Sequence, residues 1–286
     1  MLVAQITDLH VTPEPDLFYG RVDTRAALSR MIDRIESLDP RPDLVVATGD
    51  LVDKPSPESY ATLRRLFERL TARLKLLPGN HDDRALLASA FPDHEYLDGG
   101  LANYVADYEA FRLVAFDAVV EGKEYARPTA VALDWLRDRL AEAPDRPTMM
   151  IMHHPPVDTG MAFIDAFQGQ WPPELPDLVR ASPQVRLILC GHAHRHIDAT
   201  LGAARVCVAG GSAYQFDLAT RIEAPPQMVI EPPSLRLHLW RGGEVVSHLV
   251  PVDATFPQIP FKGVDEATWP AMRDRLKPRL ARTTSS

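Results

Sequence analysis

The chain has 286 residues, 45% of them hydrophobic, enough for a full core in one large domain or two small ones. Its net charge of -8 disfavours non-specific binding to nucleic acid or to an anionic membrane, since both need a basic surface. No apolar run approaches the roughly 20 residues that cross a bilayer, and no charged stretch followed by an apolar one opens the sequence as a leader would. A cytoplasmic protein with neither nucleic-acid nor membrane partners is therefore expected. Leu2 to Thr7 reads as a first strand running straight into Asp8. Asp23 is placed to cap a helix whose apolar stripe is Leu28, Met31, Ile32, Ile35 and Leu38. Asp43–Thr48 is a second strand. Ser56-Pro57 opens a second helix, with Tyr60, Leu63, Leu66, Phe67 and Leu70 inward, and Leu74–Leu77 is a third strand. Strand–helix–strand–helix–strand is the pattern of a layered α/β fold.

The middle changes character. Asn103–Asp107 and Phe111–Ala115 predict short antiparallel strands, Thr129–Leu140 a helix, and Met149–Met152 and Val185–Leu189 buried strands. Beyond Arg195, strands are expected at Arg205–Ala209, Gln227–Glu231, Ser234–Trp240 and Glu244–Val250, suggesting a second sheet packed on the first. Pro225-Pro226 and Pro232-Pro233 mark turns. Cys190 and Cys207 sit in apolar runs and are expected to be buried, reduced thiols. Residues 1–251 are expected to form one domain. The tail, 252–286, is interrupted by prolines and predicts one helix near Glu266–Leu276, ending before Pro278.

Five polar blocks follow these apolar runs: Asp8-Leu9-His10, Gly49–Asp53, Gly79–Asp82, His153-His154 and Gly191–His194. Each falls at the C-terminal end of a predicted strand, the edge where layered α/β folds collect ligands. Asp8 and Asp50 offer carboxylate oxygens, Asn80 an amide oxygen, and His10, His153, His192 and His194 imidazole nitrogens. Such a mixed set suits a pair of divalent transition ions. Asp50 is the natural carboxylate to bridge them. Two divalent cations, less two aspartates and one bridging hydroxide, leave a single positive charge to attract a phosphate anion. Any one block alone is a common turn or strand end. Five in this order point to one rim.

In these blocks the chain resembles the calcineurin-like metallophosphoesterase superfamily over nearly its whole length up to about residue 250. Tyr19-Gly20 with Val22-Asp23, Gly49–Lys54, Gly79–Arg84 and His153–Pro156 look like the class III cyclic-nucleotide phosphodiesterases; bacterial glycerophosphodiesterases of the same subgroup share most of these features. The resemblance implies a four-layer αββα sandwich with two mixed β-sheets and a dinuclear site. It implies that one metal takes Asp8, His10, Asp50 and His194, and the other Asp50, Asn80, His153 and His192. The ion pair of iron, manganese, zinc or cobalt would sit about 3.5–4 Å apart and hold a hydroxide for in-line attack on a small phosphodiester. A 3′,5′-cyclic nucleotide is the first expectation and a glycerophosphodiester the second, with a homodimer or larger assembly.

His10, Asn80, His81 and His194 are expected to contact the substrate. His81 is not a ligand in the family pattern and is expected to stabilise the transition state or protonate the leaving group. Asp53 is expected either to orient His81 or a ligand histidine or to cap the loop that follows. His154 should point away from His153 if that segment is extended. His94, His196, His238 and His248 fall in no ligand pattern. Tyr19, Met161–Phe167 and Gly210–Tyr214 are expected in loops near the site. Some subgroup members carry histidine where this chain has Tyr214, a departure that argues against carrying over their glycerophosphodiester preference. Tyr214 itself is expected either to stack on a base or ribose or to pack in the core.

Overall fold

The structure, a computed structural model, describes all residues except 95–99, 254–256, 258, 260 and 282–286. The chain runs β1 (Leu2–Ile6), α1 (Thr24–Glu36), β2 (Leu44–Thr48), α2 (Pro57–Phe67), β3 (Arg73–Leu77), α3 (Arg84–Ala90), β4 (Tyr104–Asp107), β5 (Arg112–Ala115) and α4 (Ala130–Ala141). It continues with β6 (Thr148–Ile151), α5 (Ala162–Gln168), α6 (Glu174–Arg180), β7 (Val185–Cys190), β8 (Ile197–Leu201), β9 (Ala204–Val208), β10 (Gln215–Phe216), β11 (Met228–Val229), β12 (Ser234–Arg241), β13 (Glu244–Pro251) and α7 (Trp269–Ala281). Four helix starts are capped as their sequences direct. Asp23, Ser56, Asp83 and Thr129 accept from the main-chain N–H three residues on, at 2.8–3.2 Å.

Two mixed sheets result. One has the order β13-β12-β1-β2-β3, with β1, β2 and β3 parallel and the β12–β13 hairpin antiparallel to them. The other has the order β4-β5-β6-β7-β9-β8, parallel from β5 to β9 with antiparallel edges. Val46, Leu77, Ile151, Leu189 and Trp240 pack between the sheets. The outer face of the first sheet is covered by α1, α2 and α3 through Leu28, Ile32, Leu63 and Leu87. The outer face of the second is covered by α4, α5 and α6 through Leu136, Ile164 and Val179. Helix, sheet, sheet, helix is the expected four-layer sandwich.

Several expectations change. The last two long strands join the first sheet rather than a separate C-terminal one, because β12 pairs with β1 along Leu2–Gln5. The strand expected over Gln227–Glu231 shrinks to a two-residue ladder, beside Pro residues that cannot donate to it. Met161–Phe167, expected as loop, is mostly α5. The tail helix starts later than expected and runs through Pro278, which deletes one interior hydrogen bond without ending the helix. Cys190 and Cys207 lie on adjacent strands but face opposite sides of the sheet, in different cores, and stay unbonded. No helix among the described residues is long and apolar enough to cross a membrane.

Candidate metal centre

The ends of β1, β2, β3, β6 and β7 bring the five blocks to one rim. Pairing continues past the strands: Asp8 donates to the Gly49 carbonyl, Leu9 and His10 to that of Asp50, and Gly191 to that of His153. Asp8, His10, Asp50, His192 and His194 all adopt left-handed backbone, with φ between 43° and 69°. For non-glycine residues each such conformation costs about 1 kcal/mol or more. Five together at one edge mark a site whose side-chain aim outweighs backbone ease.

The glycines of three blocks have a steric reason. A Cβ on Gly79 would lie 2.1 Å from Asp50 Oδ1, and one on Gly191 2.0 Å from Thr7 Oγ1 and 2.6 Å from Asp8 Oδ2. A Cβ on Gly49 would lie 2.4 Å from His153 Nδ1. Any side chain there would fill the cradle.

Inside it, donors crowd one another. His10 Nε2 faces His194 Nε2 at 3.0 Å and Asp50 Oδ2 at 3.6 Å, and His194 Nε2 lies 3.3 Å from Asp8 Oδ1. Asn80 Oδ1 is 3.1 Å from both His153 Nε2 and His192 Nδ1, and His153 Nε2 is 3.3 Å from Asp50 Oδ1. Asp50 thus touches both groups. His153 Nδ1 is held by the Thr48 carbonyl at 2.8 Å and His194 Nδ1 by the Tyr214 carbonyl at 3.3 Å. Those carbonyls accept N–H, so the Nε2 of each ring faces inward, as they do in metal-ligating histidines. His10 Nδ1 and His192 Nε2 are buried with no hydrogen-bond partner.

Burial drives the pKa values of His10 and His192 well below the usual imidazole range and lowers that of His194. It raises that of Asp8. Burial also acts against charge on His153 and Asp50, but their mutual attraction wins, lifting His153 to about 9 and holding Asp50 well below the carboxylate range. The neutral imidazoles of His10, His192 and His194 beside buried carboxylates and an amide oxygen are the donor set of a cation site, and a bound cation would take the place of the proton on His153. The cluster fits a dinuclear metal centre. Asp8, His10, Asp50 and His194 converge to within 4.8 Å as one group, and His153 and His192 lie in a second.

His154 also lies in that second group. Its ring packs on His192 at 4.1 Å and does not point away as expected, because β6 ends at Ile151 and the chain bends at His153-His154 instead of staying extended. His154 Nε2 is 3.1 Å from the Glu124 carbonyl. His81 is half-buried; its main-chain N–H donates to Asp50 Oδ1 at 2.9 Å and its Nδ1 lies 2.8 Å from the Asp53 carbonyl. Burial works to lower the His81 pKa, but Asp50, the Asp53 carbonyl and Glu124 outweigh it and the net shift is upward. The Asp53 carboxylate lies 3.9 Å from both His10 Nδ1 and His81 Nδ1.

Sequence reading passed over two acids. Asp82 accepts from the N–H of Leu51 and Gly79 and from the Tyr60 hydroxyl at 2.8–3.0 Å, lashing the second and third blocks together. Its place three residues after Gly79 was the available signal. Glu124 accepts from Asn80 Nδ2 at 2.9 Å, and nothing in the sequence near it foretells that contact.

The cleft above the cluster measures about 340 Å³ and has an aromatic wall of Phe163, Phe167, Tyr214 and Phe216. Tyr214 is buried, stacked on His194 at 4.4 Å and on Phe18 at 4.7 Å, so packing claims much of its ring. Tyr19 is 74% exposed, in left-handed backbone, beside a neighbouring groove with Asp53 and Lys54. Among the described residues, His94, His196, His238 and His248 join no ligand cluster.

Residues 1–196 match the family model for calcineurin-like phosphoesterases. The chain belongs to the calcineurin-like phosphoesterase family. Within this family it is 32% identical to a probable glycerophosphodiester phosphodiesterase of Arcobacter nitrofigilis, over 84% of this chain and 89% of that one. It is 31% identical to a 3′,5′-cyclic-nucleotide phosphodiesterase of Nostoc sp., covering 88% and 95%. A dimetal phosphatase from Danio rerio shares the fold, with a TM-score of 0.65 at 13% identity, over 88% of this chain and 96% of that one.

Proposed function

We propose that the protein is a dinuclear metal-dependent phosphodiesterase that hydrolyses small phosphodiesters, 3′,5′-cyclic nucleotides first among them. The observation that carries this reading is the sharing of Asp50 between two donor groups on one rim. Asp8, His10, Asp50 and His194 would hold one ion, and Asp50, Asn80, His153 and His192 the other. The ligand chemistry suits iron, manganese, zinc or cobalt. When bound, such a pair supplies a Lewis acid for the phosphate oxygens and a water of lowered pKa.

The chain's own residues do the rest. His81 keeps Nδ1 against the Asp53 carbonyl, which accepts its proton, and this leaves Nε2 to bind phosphate or donate to the departing oxygen. Donation to the departing oxygen takes place from the doubly protonated ring. Asp53 positions His81 through its main-chain carbonyl. The aromatic wall keeps water from one side of the cleft and offers a face for a base or another apolar group. The likeness to the Arcobacter nitrofigilis relative favours a second reading, a glycerophosphodiester substrate.

We also place the enzyme in the cytoplasm as a homodimer or larger assembly. Edge strand β13 exposes Val246 and Leu249, each over half accessible, as a surface for pairing. The test of function is a substrate panel after chelation and reloading with Mn²⁺, Fe²⁺, Zn²⁺ or Co²⁺. Cyclic AMP should turn over faster than glycerophosphocholine, and both faster than any phosphomonoester. A preference for monoesters would overturn the reading.

A further inference from the structure

An amide is an ambiguous ligand, because either its oxygen or its NH₂ can face a cation. In this structure the choice is made by Glu124. Asn80 Nδ2 donates to Glu124 Oε2 at 2.9 Å, which turns Oδ1 toward His153 Nε2 and His192 Nδ1. The Glu124 carbonyl also meets His154 Nε2, and the His154 ring packs on His192.

The segment that carries Glu124 is fastened on both flanks. Upstream, the Arg84 guanidinium donates to both oxygens of buried Asp117 at 2.7 and 2.9 Å and to the Val119 carbonyl at 2.8 Å. Downstream, Gln168 forms a reciprocal pair with the main chain of Ala126, at 3.0 and 3.1 Å. Glu124 is therefore a fixed acid at the rim of the cleft, although its own side chain is exposed.

We propose that Glu124 is a positioning and selectivity residue, which fixes Asn80 with its oxygen toward the histidine pair and biases the site against doubly charged phosphomonoesters. The second effect follows from charge. Two divalent cations, less Asp8, Asp50 and a hydroxide, leave one positive charge, and the Glu124 carboxylate offsets it. A phosphodiester carries one negative charge and a monoester at neutral pH close to two, so a fixed acid repels the monoester more.

This inference rests on the phosphodiesterase reading, so its test separates the two. Metal-stripped wild type, Glu124→Ala and Glu124→Gln are titrated with Mn²⁺ by calorimetry. Wild type should take up two ions. Glu124→Ala should keep one and bind the other about 10- to 100-fold more weakly, the usual cost of losing a ligand's outer hydrogen bond. Glu124→Gln keeps an acceptor for Asn80 and should bind both within about threefold of wild type. The reloaded Gln variant should then raise kcat/KM on p-nitrophenyl phosphate relative to bis(p-nitrophenyl) phosphate by about three- to tenfold, the effect of removing one screened charge. Wild-type Mn²⁺ affinities in Glu124→Ala, or an unchanged ester ratio in Glu124→Gln, overturn the proposal. Wild type that binds two ions yet leaves the diester intact overturns the phosphodiesterase reading alone, since the calorimetric arm uses no turnover.

Discussion

Among the described residues, a cluster of buried histidines and a single buried histidine behave in opposite ways. One is the rim cluster of His10, His153, His192 and His194. The other is a single node on β12, where His238 is fully buried. His238 Nε2 lies 3.2 Å from Gln5 Oε1, and its Nδ1 lies 2.8 Å from the Ser247 hydroxyl. Gln5 in turn donates from Nε2 to the Cys190 carbonyl across the sandwich. An amide oxygen only accepts, so His238 donates from Nε2 and accepts at Nδ1 as a neutral ring. Both its nitrogens are satisfied by neutral partners. The rim histidines instead confront each other, buried carboxylates and an amide oxygen, and two of their nitrogens have no hydrogen-bond partner. Burial alone therefore does not mark a site. A surplus of electron-pair donors over protons does, and a cation resolves it.

If that distinction is right, removing one rim donor should cost activity far more than fold. Asp50→Ala takes away the carboxylate that touches both groups. Its kcat/KM on bis(p-nitrophenyl) phosphate should fall by about a thousandfold or more, with bound Mn²⁺ reduced and the circular dichroism spectrum retained. Wild-type metal content in that variant would break the comparison. His81→Ala sharpens it from the other side. His81 contacts the cluster without belonging to the proposed ligand set, so turnover should drop about 10²- to 10⁴-fold while Mn²⁺ stoichiometry stays at the wild-type value. A parallel loss of metal would make His81 a ligand.

Much of the rim was legible because each block ends an apolar run. Strand polarity then forces Asp8, Asp50, Asn80, His153 and His192 to the same edge. The glycines were legible as punctuation, but their function was not. That Gly79 leaves room for the Asp50 carboxylate depends on two parallel strands lying side by side. His154 was misplaced because a period of two holds only while the chain stays extended. Glu124 was invisible: its partner is 44 residues away, and its segment has neither a strand period nor a motif. In the fold, the parallel core was readable from its near-continuous apolar runs. The return of β12 to pair with β1 was not, since no local signal records which sheet edge a late hairpin will meet.

Metal addition gives a smaller contrast. Mn²⁺ at a hundredfold over its Kd should stabilise the wild type by about 2.7 kcal/mol, seen as a rise in Tm that a chelator reverses. Asp50→Ala should lose most of that rise. His238→Gln, which leaves the rim alone, should keep it, even from a lower starting Tm. A node variant that lost the metal response would show the rim and the node to be coupled.

The smallest effect separates them by pH. Burial, with Arg236 and Arg205 nearby, pushes the His238 pKa down to about 3 from an ordinary 6.5. Between those values the unfolded chain binds a proton that the folded chain excludes. Stability from this residue is therefore complete above about pH 6.5 and is lost as pH falls. Between pH 7 and pH 5 the loss should be about 2 kcal/mol. His238→Gln remains neutral at both, so urea unfolding at the two pH values should show a flatter dependence in the variant by that amount. With both proteins loaded with Mn²⁺, the rim histidines contribute equally and cancel in the difference. Equal slopes would mean that His238 is charged in the folded state or that its site admits water. Either result would remove the neutral, doubly satisfied ring on which the contrast with the rim depends.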